Sequence, residues 1–348
     1  DPESAFIPET ANIQLMSKYD YASDVRPVSS GVDLYFPFSY GYYAGVSRYA
    51  VDPGRDSLAT AAPITSEVSR YIKGNITQLA VDNTQSVGLY VADVDRNVIY
   101  THDFKDDPNN PQSAWSKTIL DFSILDIAID KAQAWIIGNK AGKLIIVSLP
   151  LNPPDVGEVH TLVHLDNKWA GRIQGTTIEL PANYPTDNLL VVQSVGCPRP
   201  GDLIDYTIDG NTLVLEENVP TGIIVVGTVF NSVYQPSRIQ IRDQGGRPQT
   251  HAKLRIVDWT LTTALSGRFQ AEIISDFYNY PPFTFYGLVG RDVNTKFNSS
   301  NILGERITIP FKQRADQADL RISTDDWAPL DIVALEWQGG YNKRGRRF

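Results

Sequence analysis

Along most of this 348-residue chain, apolar and polar residues alternate in short runs separated by Gly, Pro, Asn and Asp. Period-two alternation puts one face of a strand inside and the other in water, so it predicts β structure. No long stretch keeps the three- and four-residue apolar spacing of an amphipathic helix. Val, Ile, Thr and Tyr are abundant, and 25 Gly and 22 Pro punctuate the runs. The expected fold class is all-β, built of short strands joined by turns, as in sandwiches, barrels and propellers.

Two segments repeat a pattern. Leu79-Ala80-Val81-Asp82 precedes the apolar run 87–92, a turn at 93–97 and a further strand from Val98. Ile127-Ala128-Ile129-Asp130, 48 residues later, precedes the run 134–138, a turn at 139–142 and a strand from Lys143. Ala-[Val/Ile]-Asp, a hairpin and an outer strand is how a propeller blade reads, at a period near the ~40–50 residues of such repeats. A plain meander accounts for two copies equally well. The strongest break follows, at Leu149-Pro150-Leu151-Asn152-Pro153-Pro154. Beyond it, strands are expected at 176–180, 189–195, 213–215, 223–229, 238–241, 253–260, 269–273, 307–310, 318–322 and 332–335. The expected organisation is a propeller-like β-meander over 1–165 and a β-sandwich over 172–348.

Composition narrows the class. Hydrophobic residues make up 42% and charged residues 20%, the balance of a globular chain. The longest apolar runs, such as 222–227, fall far short of the ~20 residues of a membrane-spanning helix. A single cysteine, Cys197, forbids an intrachain disulfide and suits a reducing compartment. The chain opens on Asp1 rather than Met and shows no signal-peptide pattern, so it reads as part of a longer protein. The net charge is −9. Residues 1–168 hold 13 basic and 21 acidic side chains, a balance of −8, and residues 169–348 hold 18 and 19, a balance of −1. An acidic surface repels phosphate, although it also serves plain solubility.

The candidate chemistry is thin. His160 and His164 stand at a spacing that two metal ligands could use, but a zinc site needs three or four, and neither Cys197 nor a nearby carboxylate pattern completes it. His102 and His251 are isolated, and Cys197 reads as a turn residue. No nucleophile elbow, zincin motif or phosphate loop is present. The carboxylate doublets Asp106/Asp107, Glu216/Glu217 and Asp325/Asp326 are adjacent in sequence. Adjacent residues of a strand point to opposite faces, so these are not the facing pair of a glycosidase. No metal, cofactor or catalytic residue is expected. The aromatic segment 34–43 reads equally as a buried strand and as a subunit contact. The segment 276–286 holds too many rings for a solvated loop and too many prolines for a central strand, which favours a subunit contact through Tyr278, Tyr280, Phe283 and Phe285. The basic tail, 342–348, suits phosphate, an acidic neighbour or plain solvent.

The order of features resembles a known family. Asp24-Val25-Arg26-Pro27 precedes Val32-Asp33-Leu34-Tyr35-Phe36 and then Tyr43-Ala44-Gly45-Val46-Ser47-Arg48-Tyr49. The segment 68–72 and the two blade-like units follow, with Ala114-Trp115-Ser116-Lys117 between the units, close to a Trp-Ser-x-Trp segment but lacking its second Trp. Ala252-Lys253-Leu254-Arg255-Ile256, Gly267-Arg268-Phe269 and Trp337-Gln338-Gly339-Gly340-Tyr341 complete the series. Taken in order, these resemble the C-terminal half of the tail nozzle, or tail tubular protein B, family of short-tailed bacteriophages, whose members are about twice this length. The resemblance implies a structural virion protein assembled in the host cytoplasm, without catalysis or cofactor. It implies a six-fold ring at the distal end of the tail. That ring docks on tail tubular protein A, supports tail fibres, conducts double-stranded DNA without reading its sequence and meets the host envelope during ejection. An acidic channel wall fits the charge of the first half, with Asp106 and Asp107 expected to face the channel. The alternative is a phage tail module that binds or hydrolyses glycan, with Tyr40, Tyr42, Tyr43, Trp115 and Trp169 available to stack on sugars.

Overall fold

The computed structural model describes residues 24–50, 61–105, 112–151, 163–182, 184–239, 241, 252–275, 277, 280–285 and 306–343. Apart from a single 3-10 turn at Ser66–Val68, the regular structure of the described residues is entirely strand, in several small antiparallel sheets. The chain divides into two compact units, Asp1–Pro153 and Pro154–Phe348.

Three sheets make up the described part of the first unit, each an antiparallel meander in chain order. The first holds β1 (Val28–Ser30), β2 (Asp33–Tyr40), β3 (Tyr43–Ala50) and β4 (Ala62–Pro63). The second holds β5 (Ile76–Asp82), β6 (Val87–Ala92), β7 (Val98–Lys105) and β8 (Gln112–Ile119). The third holds β9 (Ser123–Asp130), β10 (Gln133–Lys140) and β11 (Lys143–Pro150). The repeated Ala-[Val/Ile]-Asp motif closes β5 in the second sheet and β9 in the third, so each copy begins a meander. Between β10 and β11 the two loop residues, Ala141 and Gly142, both take positive φ, the backbone of a type I′ turn that matches strand twist.

The second sheet is packed on both faces. Every residue of β6, Val-Gly-Leu-Tyr-Val-Ala, is buried. One face, with Leu79, Val81, Tyr90 and Tyr100, shares a core with Tyr35 and Val46 of the first sheet. The other face, with Ala80, Leu89, Val91 and Ile99, shares a core with Ile124, Ile127, Ala134 and Ile136 of the third. The unbroken apolar run in β6 is the sequence trace of this double burial. The sheets therefore stack in series.

In the second unit, β12 (Asp166–Glu179), β13 (Leu189–Gln193), β14 (Tyr206–Asp209) and β15 (Thr212–Thr228) form one sheet. Register shifts flank Gly175, which stands opposite Val219, and Ile173, Ile178, Leu213, Val219 and Ile224 pack into one cluster. A second sheet runs β16 (Ser232–Tyr234), β21 (Ala318–Thr324), β18 (Phe269–Ser275), β19 (Phe283–Phe285). A third runs β20 (Arg306–Arg314), β17 (Ala252–Ser266), β22 (Leu330–Lys343). The second and third share a core: Ile256, Trp259 and Leu261 of β17 and Phe311 of β20 meet Phe269 of β18 and Ile322 of β21. Trp327 and Ala328, just before β22, pack with Val163, Leu165, Val192 and Val225, and the His164 N–H donates to the Trp327 carbonyl at 2.7 Å.

One expected strand, 238–241, has no ladder among its described residues. Arg238 and Ile239 lie in no ladder. Pro236 nearby has no N–H to give to one. The segment is held by a side chain instead: Arg238 donates through both Nε and Nη2 to the Asp319 carboxylate, at 2.7 and 2.8 Å.

Candidate functional site

Asp106, Asp107 and Tyr278 lie outside the described residues, as do His160 and His251. The other residues of the second aromatic segment do not act alike. Phe285 is half-buried and lies over Phe269, ring centroids 5.0 Å apart. Phe283, on the same β19, is exposed. Tyr280 is half-buried, and its hydroxyl accepts from the Gln313 side-chain amide. In the first aromatic segment Tyr35 and Phe38 are core, and Tyr42 at the hairpin tip is exposed.

Several of the described ionisable groups considered for chemistry are fastened into the fold. Glu217 pairs with Arg199. Asp325 accepts from the Arg268 guanidinium at 2.7 Å, and Asp326 accepts the Arg268 N–H at 3.1 Å. Cys197 is buried and donates its thiol to the Ile223 carbonyl at 3.1 Å. Burial pushes that thiol up, which keeps it protonated and unreactive at neutral pH. His102 is stacked on Trp115, centroids 4.5 Å apart, and its Nε2 meets Ser113 Oγ at 3.0 Å. Burial, with the Lys168 ammonium nearby, moves His164 below its usual range. Among the described residues no three His, Cys, Asp or Glu side chains gather as a metal site would require.

What the structure leaves open is apolar surface on strands. In the third sheet of the first unit, Ala134 and Ile136 of β10 point into the shared core. Trp135 on β10, with Leu144 and Ile146 on β11, stands exposed on the other face. In the second unit β22 is, among the described residues, an edge strand. Its Trp337 stands directly opposite Trp259 of β17. Opposed residues of a ladder share a face, yet Trp259 is 5% exposed and Trp337 41%. The facing sheet covers β17 and leaves β22 partly bare. Tyr341, opposite the buried Leu254, continues that face and is also exposed. Sequence reasoning missed both surfaces. The apolar residues on both faces of β10 and β11 were a readable signal for the first. Nothing in sequence signals where a facing sheet stops.

Two strand faces, at Trp135, Leu144 and Ile146 and at Trp337 and Tyr341, thus keep exposed apolar side chains. The sequence model for the bacteriophage nozzle protein matches residues 2–348. The chain belongs to that family and is a structural protein of the phage tail. It is similar to the tail tubular protein gp12 of Escherichia phage T7, 20% identical over 361 residues, covering 97% of this chain and 45% of that protein. The chain thus spans less than half of the length of this curated relative. Among solved structures, an exo-β-1,3-galactanase from Phanerochaete chrysosporium with β-1,3-galactotriose aligns at 9% identity and TM-score 0.20, over 88% of this chain and 79% of that one. A glycoside hydrolase aligns at 11% identity and TM-score 0.23, over 93% and 85%. Overlaps this poor carry no argument about fold or activity.

Proposed function

We propose that this chain forms the wall of a six-fold nozzle ring that conducts double-stranded DNA out of the tail and catalyses nothing. The observation that carries the ring is the bare face of β22, with Trp337 and Tyr341 exposed on an edge strand. A ring needs two different patches that fit each other around the circle. The edge of β22 and the outer face of β10 and β11 are two such patches, and Tyr280 and Phe283 extend the contact surface. The serial stacking of three sheets supports a propeller-like region over 1–165, and the core shared by two facing sheets supports a sandwich within 172–348. The fastening of Glu217, Asp325 and Asp326 supports a protein without hydrolytic chemistry.

The balance of −8 over residues 1–168 supports an acidic channel wall that includes Asp106 and Asp107, because like charge keeps DNA centred and mobile. The other partners in this reading are the adaptor, tail tubular protein A, the tail fibres and the host envelope, with assembly in the host cytoplasm and no cofactor. Electron microscopy of the purified protein tests the reading: six-fold rings with a central opening support it, and monomers at all concentrations overturn it.

A further inference from the structure

A second charged feature runs against the acidity of the chain. Lys253 and Arg255 of β17 and Lys312 and Arg314 of β20 line one open concavity of about 480 Å³. Leu254 and Ile256 point into the core, so Lys253 and Arg255 occupy the opposite face of the sheet. Lys312 takes φ +52°, where the register shifts against β17 and two residues of β20 face Val257. Arg255 stands directly opposite Arg314 on one side and Gly340 of β22 on the other. A Cβ at Gly340 would meet nothing, so the floor beside Arg255 is open. Like charges directly opposed in a ladder are destabilising. Asp316 pairs with Arg314, at 2.9 Å to Nε. Among the described residues no carboxylate lies within ion-pair distance of Lys253, Arg255 or Lys312.

We propose that this concavity is a phosphate-binding site that holds the sugar-phosphate backbone of DNA, and the proposal rests on the reading of the chain as a DNA conduit. The cations lie in two parallel rows on neighbouring strands. Within β17 alternate residues are about 6.8 Å apart, close to the rise of two nucleotides along one DNA strand. Evenly spaced single charges of this kind match a phosphodiester chain better than a clustered carboxylate pair. Three uncompensated cations give a weak, salt-sensitive hold, compatible with DNA that must still move.

The test is fluorescence anisotropy of the full chain with a labelled 20-base-pair duplex at 50 and 200 mM salt, alongside electron microscopy of the same samples. Three phosphate contacts predict a slope of about −2.7 in log K against log salt, hence about 40-fold weaker binding at the higher salt. Lys253→Glu with Arg255→Glu and Lys312→Glu should abolish binding with an unchanged circular dichroism spectrum. Lys253→Arg with Lys312→Arg should retain it, as should the distant Lys143→Glu. No binding by the wild type at 50 mM, or wild-type binding by the triple variant, overturns the site. Tighter binding of poly-glutamate than of DNA at equal charge also overturns it and assigns the concavity to an acidic protein segment. Rings that form normally but do not bind DNA would leave the conduit reading standing and remove only this site.

Discussion

Asn83, in the turn between β5 and β6, donates its side-chain amide to the Asp33 carboxylate of β2 at 2.8 Å, across 50 residues of chain. The same amide group donates to the Ser30 carbonyl at 2.9 Å, and its oxygen accepts from the Tyr35 hydroxyl at 2.9 Å. Asp33 is only 4% exposed and also takes Arg48, at 2.8 Å to Nη2. One asparagine thus bolts the first sheet to the second, beside the apolar core that they share. Asn83→Ala removes three hydrogen bonds from buried or half-buried partners and is expected to cost about 2–3 kcal/mol. Asp33→Ala leaves Arg48 without this carboxylate and is expected to cost about 2–4 kcal/mol, discounted for the partial exposure of the arginine. The double variant should fall short of the sum by about 1 kcal/mol, because both residues belong to one network. Urea denaturation of the four proteins measures this. Full additivity would show that the Asn83–Asp33 contact contributes no coupling between the two sheets.

Gly222 and Cys197 interlock in the second unit. Gly222 has φ +147°, and a Cβ there would lie 2.3 Å from Cys197 Sγ and 2.6 Å from its backbone nitrogen. Gly222→Ala therefore combines backbone strain with overpacking, at a cost of about 2–4 kcal/mol. The native Cys197 thiol should alkylate slowly at neutral pH, since burial holds it protonated, and the substitution should speed its reaction with iodoacetamide. Equal alkylation rates in native and urea-unfolded protein would contradict this packing.

Asp319 provides a pH signature. Hydrogen bonds from Arg238 hold its carboxyl below the usual carboxylate range, with burial opposing and the arginine charge assisting. A carboxyl depressed in the folded state contributes stability that is fully present above its unfolded pKa of about 3.9 and is lost as pH falls through the folded value. The guanidinium is half exposed, so solvent screening limits the pair to about 1 kcal/mol. Asp319→Asn should be destabilising by that amount at pH 7, and the gap to wild type should close below about pH 4. An equal gap at pH 7 and pH 3 would mean that the contact is steric rather than ionic.

Legibility in the sequence followed the range of the interaction. The double burial of β6 was written in six consecutive apolar residues, and the two meanders in a motif repeated at 48 residues. Alternation in 318–324 matched its buried and half-buried positions. The segment at Arg238 failed because β propensity cannot register a neighbouring proline and an ion pair 81 residues away. The aromatic contact set, read from composition, divided: Phe285 turned to Phe269, and Phe283 stayed outside. The Asp33–Asn83 bolt was invisible, because neither residue has a local partner that marks it. The two Lys/Arg pairs at alternate positions, Lys253 with Arg255 and Lys312 with Arg314, were legible as same-face cations, but only the ladder register brings the rows together.

The bare face of β22 leads to the last expectation. Trp259 and Trp337 oppose one another, and only the first is covered. Aromatic side chains bury about 150–250 Å² each and dominate interface energetics. Apolar edge strands are also templates for unwanted pairing unless something covers them. If a neighbouring subunit covers this strand, Trp337→Ser should weaken self-association by about 2–4 kcal/mol per contact, the scale of an interface hot spot. The melting temperature of the dissociated protein should stay near that of wild type, since Trp337 adds little to the internal core. Tyr341→Ser should act in the same direction and less strongly. Trp135→Ser, on the outer face of β10, should weaken assembly as well if that face is the complementary patch. Analytical ultracentrifugation across a concentration series separates the outcomes. Wild-type association by the Trp337 variant would remove β22 from the interface, and a large fall in melting temperature would return Trp337 to the core.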